Sequence, residues 1–110
     1  MIIVYKKNSD TTSRGILIKA PSDYANVINW YSGLLMNIRD EDVIDEVSFP
    51  YKKEQFNTIV THDSINYGDK FRQKNNFYIR CEEIYYGDSI LWNSINVKTG
   101  ILAHFHDKTY

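Results

Sequence analysis

Tyr24-Ala25-Asn26-Val27-Ile28-Asn29-Trp30-Tyr31-Ser32-Gly33-Leu34-Leu35-Met36-Asn37-Ile38 is the stretch on which the fold class turns. Tyr24, Val27, Ile28, Tyr31, Leu35 and Ile38 recur three and four residues apart, the spacing of one helix face. Pro21-Ser22-Asp23 ahead of them ends a preceding strand and supplies an N-cap. The spacing predicts an amphipathic helix. Gly33 costs that helix about 1 kcal/mol relative to Ala. Trp30 and Leu34 add a second apolar edge, so it should be covered on more than one side.

Around this helix the pattern predicts strands. Residues 2–6 and 15–20 are short β-branched runs separated by the turn cluster Asn8-Ser9-Asp10-Thr11-Thr12-Ser13, a hairpin with a polar loop. Residues 77–86, 89–98 and 101–106 alternate as a β-meander. A three-residue loop, Lys98-Thr99-Gly100, would pair Val97 with Ile101 and Ile95 with Ala103. Ile95, Val97, Ile101, Ala103 and Phe105 then form an apolar face, with Trp92, Ser94, Asn96, Leu102, His104 and His106 on the other. In the preceding strand Phe77, Ile79 and Cys81 point inward and Tyr78, Arg80 and Glu82 outward, and a phase shift at 83–86 signals a bulge before Gly87-Asp88.

The middle is less periodic. Residues 40–50 read as a short turn or helix leading into a brief strand. Phe56, Ile59 and Val60 fit a second, short helix over 51–62. Residues 63–76 are polar and aperiodic, as in a long surface loop. No internal repeat, linker or low-complexity tract is apparent, so the chain reads as one domain, 1–110. The expected fold class is α+β: one antiparallel sheet, made of the hairpin and the meander, with one long and one short helix on its apolar face.

Composition narrows the function classes. The chain has 110 residues, a formal net charge of −1, 43% hydrophobic and 15% aromatic residues, enough to bury a core and too little positive charge for broad phosphate binding. The basic runs Tyr51-Lys52-Lys53 and Lys70-Phe71-Arg72-Gln73-Lys74 read as solvated loops, and nucleic acid is not the expected partner. With Cys81 as the single cysteine there is no internal disulfide, and no apolar run has the length of a signal peptide or a membrane span. A cytoplasmic protein is expected. The weight of Ile, Asn, Lys and Tyr points to an AT-rich coding sequence, as in a low-GC bacterium, its phages or its plasmids.

Chemistry-bearing motifs are sparse. There is no Gly-rich phosphate loop, no Gly-x-Ser-x-Gly elbow and no His-Glu-x-x-His. His104-x-His106 puts two imidazoles on one strand face, where His62, Asp63, Asp107 or Glu82 would be needed to complete a metal site; no cofactor is assigned. Cys81, among core residues, reads as an inert thiol. Asp40, Glu41, Asp42, Asp45 and Glu46 crowd five acids into seven positions, a patch suited to steering a basic protein partner. Tyr78, Arg80, Trp92, His104 and His106 form the candidate aromatic and polar sheet face. The expected function is non-enzymatic binding, in the manner of a phage- or mobile-element-borne inhibitor that occupies a host protein. A small-ligand or metal site on the Trp92, His104 and His106 face, including a small metal-dependent hydrolase, is the alternative. Oligomeric state is left open.

Overall fold

The computed structural model describes residues 2–22, 25–47, 56–58 and 65–105. They form ten strands: β1 (Ile2–Lys6), β2 (Thr12–Ser22), β3 (Ala25–Asn29), β4 (Leu35–Met36), β5 (Val43–Val47), β6 (Asn57–Thr58), β7 (Lys70–Gln73), β8 (Asn76–Tyr86), β9 (Ser89–Asn96) and β10 (Leu102–Ala103). Two five-stranded sheets result, with strand orders β4-β3-β2-β1-β5 and β10-β9-β8-β7-β6. All neighbours are antiparallel except β6 and β7, which run parallel. Among the described residues the only helical element is one 3-10 turn, Asp40–Asp42.

The α+β expectation is therefore wrong, and the long helix is where it fails. Residues 25–38 are a strand, a tight turn, a two-residue strand and a return segment. Val27 and Ile28 are both fully buried, but on opposite faces of the first sheet: Ile28 joins the inter-sheet core, while Val27 packs with Ile3, Tyr5 and Ile38. A strand buried on both faces loses its alternation, and its apolar run then imitates a helical stripe. Asn29 and Gly33 enforce the turn: the Asn29 side-chain oxygen accepts the N–H groups of Tyr31 and Ser32, both at 2.9 Å, and Gly33 sits at φ +72°, a region that favours glycine.

Three smaller expectations also change. Of the short helix at 51–62, Asn57–Thr58 is strand β6 and Phe56 is buried in the core; the remainder lies outside the described residues. The surface loop at 63–76 contains β7, whose Phe71 is fully buried. Polar residues around Phe71 hide the period there. The C-terminal meander is present, but β10 pairs Leu102 with Ile95 and Ala103 with Ser94, one residue from the expected register. A one-residue slip exchanges the faces. Leu102 turns to the core and Ile101 is exposed.

The core lies between the sheets. Ile2, Ile16, Ile18, Ile28 and Trp30 come from the first sheet and its turn; Ile79, Cys81, Ile95 and Val97 come from the second, with Phe56 beside them. Phe56 meets Trp30 and Phe77 edge-on, with ring centroids 6.4 and 5.0 Å apart. Each fully buried isoleucine contributes about 1.5–3 kcal/mol.

The two sheets repeat one unit, which overturns the expectation that there is no internal repeat. Asn26-Val27-Ile28-Asn29-Trp30-Tyr31-Ser32-Gly33-Leu34-Leu35-Met36-Asn37-Ile38 aligns with Asn93-Ser94-Ile95-Asn96-Val97-Lys98-Thr99-Gly100-Ile101-Leu102-Ala103-His104-Phe105, with five of thirteen positions identical. Each turn is held by the same bonds. Asn29 and Asn96 each accept two turn N–H groups on the side-chain oxygen. Gly33 donates to the Asn29 carbonyl at 3.0 Å and Gly100 to the Asn96 carbonyl at 2.8 Å. The two glycines have φ +72° and +74°.

The units also interlock reciprocally. The Glu82 N–H of β8 donates to the Gly33 carbonyl at 2.8 Å, and the Lys19 N–H of β2 donates to the Gly100 carbonyl at 3.0 Å. A side chain at Gly33 would approach the Arg80 carbonyl to 2.5 Å, and one at Gly100 the Leu17 carbonyl to 2.5 Å. Turn one docks on strand two of the other unit, and the converse. That exchange is an approximate two-fold relation within one chain.

Candidate functional site

Each sheet carries a second, outer layer, and the candidate residues belong to these layers and their edges. Over the first sheet Ile38 returns onto Ile3, Tyr5 and Val27, with Leu17, Met36 and Val43 beside them. The Asn26 side chain grips Ile38 by both backbone groups: its Nδ2 donates to the Ile38 carbonyl at 2.7 Å and its Oδ1 accepts the Ile38 N–H at 2.8 Å. Over the second sheet Phe105 returns onto Phe71 and Tyr78, with ring centroids 5.2 and 4.9 Å away. Asn93 grips it the same way, at 2.8 and 3.0 Å. The side-chain amide acts as an extra peptide group, satisfying backbone groups where the ladder has ended.

The acidic residues sit at the edge of the first sheet. Asp40, Glu41 and Asp42 form the 3-10 turn; Asp45 and Glu46 are on β5, the last strand in that sheet among the described residues. β5 pairs Val43 with Tyr5 and Asp45 with Val4, leaving Ile44 as an extra residue. That bulge leaves Ile44 54% exposed, between the acidic turn and the two β5 acids. Arg39 contacts Glu41 at 2.9 Å and Asp42 at 3.0 Å, exposed pairs worth about 0–1 kcal/mol each. The Asp45 carboxylate accepts the Glu46 N–H at 2.8 Å. Sequence reasoning placed these five acids together, and the structure does bring them onto one edge.

The predicted aromatic and polar face does not assemble. Tyr78 stacks on Phe71 at 5.4 Å beneath Phe105, as part of a packed layer. Trp92 lies at the rim of the inter-sheet core, lining a small apolar cavity of about 160 Å³ with Ile18, Lys19, Ile101 and Leu102. His104 is exposed beyond β10; His106 and His62 lie outside the described residues. The register slip and the β8 bulge, where Arg80 pairs with Ser94 but Ile84 with Trp92, separate what strict alternation would have aligned. Among the described residues no group of three His, Cys, Asp or Glu side chains is placed to hold a metal ion.

Arg80 instead joins residues from the segment expected to be a loop. Its Nη1 donates to the Ile65 carbonyl at 2.7 Å, its Nη2 lies 3.7 Å from Glu83, and its guanidinium carbon is 5.6 Å from the Tyr67 ring centre. Ile65, Asn66, Tyr67 and Arg80 line an open cavity of about 320 Å³. Burial, followed by hydrogen bonding to Glu83, raises the Tyr67 phenol above its ordinary value. The Tyr85 hydroxyl also donates to Glu83, at 2.8 Å. Tyr67 and Asn66 were missed because nothing periodic marks a turn docked by backbone contacts.

Two other titratable groups have structural roles. Burial lowers the Lys70 ammonium below its ordinary value; its Nζ donates to the Trp30 and Gly68 carbonyls at 2.9 and 3.2 Å and lies 4.6 Å from the Trp30 ring centre. The basic run expected to be solvated is thus partly built into the sheet junction. Burial pushes the Cys81 thiol up to about 12, consistent with an inert core thiol.

No known protein family, curated protein or solved structure matches the chain. No helix among the described residues is long and apolar enough to cross a membrane.

Proposed function

We propose that the chain is a non-enzymatic binding protein that engages a basic partner protein along the acidic edge of its first sheet. The observation that carries this reading is Ile44, an exposed aliphatic side chain lifted by a bulge on the last strand and bracketed by Asp40, Glu41, Asp42, Asp45 and Glu46. An apolar anchor in a net acidic surround, five carboxylates against Arg39 paired with Glu41 and Asp42, suits a partner with an apolar contact and a basic rim. The same charges repel a second copy of this edge, so they oppose self-association through β5 while favouring a basic chain. The finer expectation, an inhibitor of the phage or mobile-element kind that occupies a host protein's basic site, follows from that charge and from the chain's size and composition.

The test compares wild type with Asp42→Lys/Asp45→Lys and with Ile44→Asp in capture from low-GC bacterial lysate. The proposal predicts a partner retained by wild type, weakened by added salt, and lost with either variant. Capture that is unchanged in both variants would remove it.

A further inference from the structure

The two units can be compared position by position, because their registers correspond. Leu17 pairs with Val27 and Val27 with Met36 across the first sheet; Arg80 pairs with Ser94 and Ser94 with Ala103 across the second. The row Leu17, Val27, Met36 belongs to an apolar outer layer. Its counterpart is a guanidinium, a hydroxyl and a methyl group. That exchange removes volume and apolar surface from the second unit's outer layer, and the cavity lined by Ile65, Asn66, Tyr67 and Arg80 adjoins it. The Arg80 side chain is only 13% exposed. A charge thus stands in the second unit at the position where the first unit carries leucine. A site that breaks the rule its own twin obeys is a candidate for function.

We propose that the Arg80 cavity binds an oxyanion, a phosphate or carboxylate group of a small ligand, with Arg80 supplying the charge and Tyr67 and Asn66 the wall. Guanidinium is the side chain best matched to such groups, through paired N–H donors in a rigid plane. The 3.7 Å separation from Glu83 is longer than a hydrogen bond, and Glu83 keeps the Tyr85 hydroxyl as a donor when an oxyanion takes its place beside Arg80. A volume of about 320 Å³ is at the small end of ligand cavities. This site is separate from the acidic edge and does not depend on the partner-protein reading.

The experiment is a titration of the full chain with inorganic phosphate and, in a second arm, acetate, followed by 15N–1H NMR including the Arg80 Nε–H signal. The expected result is a saturable shift at Arg80, Tyr67 and Asn66 in at least one arm. Phosphate alone identifies a phosphate-bearing ligand; shifts in both arms extend the site to carboxylates. Arg80→Leu, which copies Leu17, should fold and lose the saturable shift. Arg80→Lys and Tyr67→Ala should each weaken it about tenfold, and they keep the test decisive if Arg80→Leu does not fold. No saturation with either anion, or saturation unaltered in these variants, would overturn the proposal.

Discussion

Residues 26–38 and 93–105 differ at eight of thirteen positions, yet each makes the same turn, ends in the same two-residue strand, and seats one apolar residue on the outer face of its sheet. Three of the five retained positions hold backbone, Asn26 and Asn93, Asn29 and Asn96, Gly33 and Gly100; the other two, Ile28 and Ile95, Leu35 and Leu102, pack in or against the inter-sheet core. The positions that vary include those of the outer layers, Val27 and Ser94, Met36 and Ala103, Ile38 and Phe105. Gly15 stands where the second unit has Tyr78, and Tyr5 fills the first unit's outer layer from the neighbouring strand. Such an architecture tolerates different packing as long as the hydrogen-bonded hinges between units stay intact.

The largest break should come from the hinges. Gly33→Ala and Gly100→Ala each combine positive φ with a backbone approach of 2.5 Å or less, and each should cost about 3 kcal/mol or more, or prevent folding, as read by urea denaturation. If one is harmless and the other not, the two hinges are not equivalent. The amide grips come next. Asn93→Ala leaves buried backbone groups of Phe105 unpaired and should cost about 2–4 kcal/mol, while Asn26→Ala, less buried, should cost about 1–2 kcal/mol.

Cys81 gives a pH-dependent contrast. Its folded pKa, about 12, lies above the unfolded value near 9, so the folded state holds a proton that the unfolded state releases. Its contribution is complete below pH 9 and is lost as the pH rises through that window, at up to about 1.4 kcal/mol per unit. Between pH 8.5 and 10.5 wild type should therefore lose about 1–2 kcal/mol more than Cys81→Ala in parallel denaturation curves. Equal losses would show a thiol that ionises freely. The smallest effect belongs to Gly87→Ala in the exposed β8–β9 turn: the residue has φ +61° but nothing within 4 Å, so only the backbone term of about 1 kcal/mol remains. A cost near that of Gly33→Ala would mean that conformation, and not close approach, explains the hinges.

Much of the local structure was legible in the sequence. The N-terminal hairpin, the burial of Cys81, the inward Ile79 and outward Tyr78, and the β8 bulge follow from alternation and turn residues. What alternation could not reveal were strands covered on both faces, since Val27 and Ile28 look alike to a periodicity argument although they face opposite layers. The repeat was present as Asn-x-Ile-Asn followed by Gly and Leu at fixed spacing, but it is confined to the turn segments, and the strands before them share no pattern because different positions fill each outer layer. Of the candidate site, the acidic edge was legible because its residues are adjacent in sequence. The Arg80, Tyr67 and Glu83 grouping was not, because a turn and a bulge create it.

The most direct test of the interlocked two-unit architecture is to measure scalar couplings across hydrogen bonds by NMR in the full chain. Two reciprocal couplings are predicted, from the Lys19 amide nitrogen to the Gly100 carbonyl carbon and from the Glu82 amide nitrogen to the Gly33 carbonyl carbon. Absence of both, with Lys19 and Glu82 amides exchanging as fast as exposed loop amides, would contradict the account.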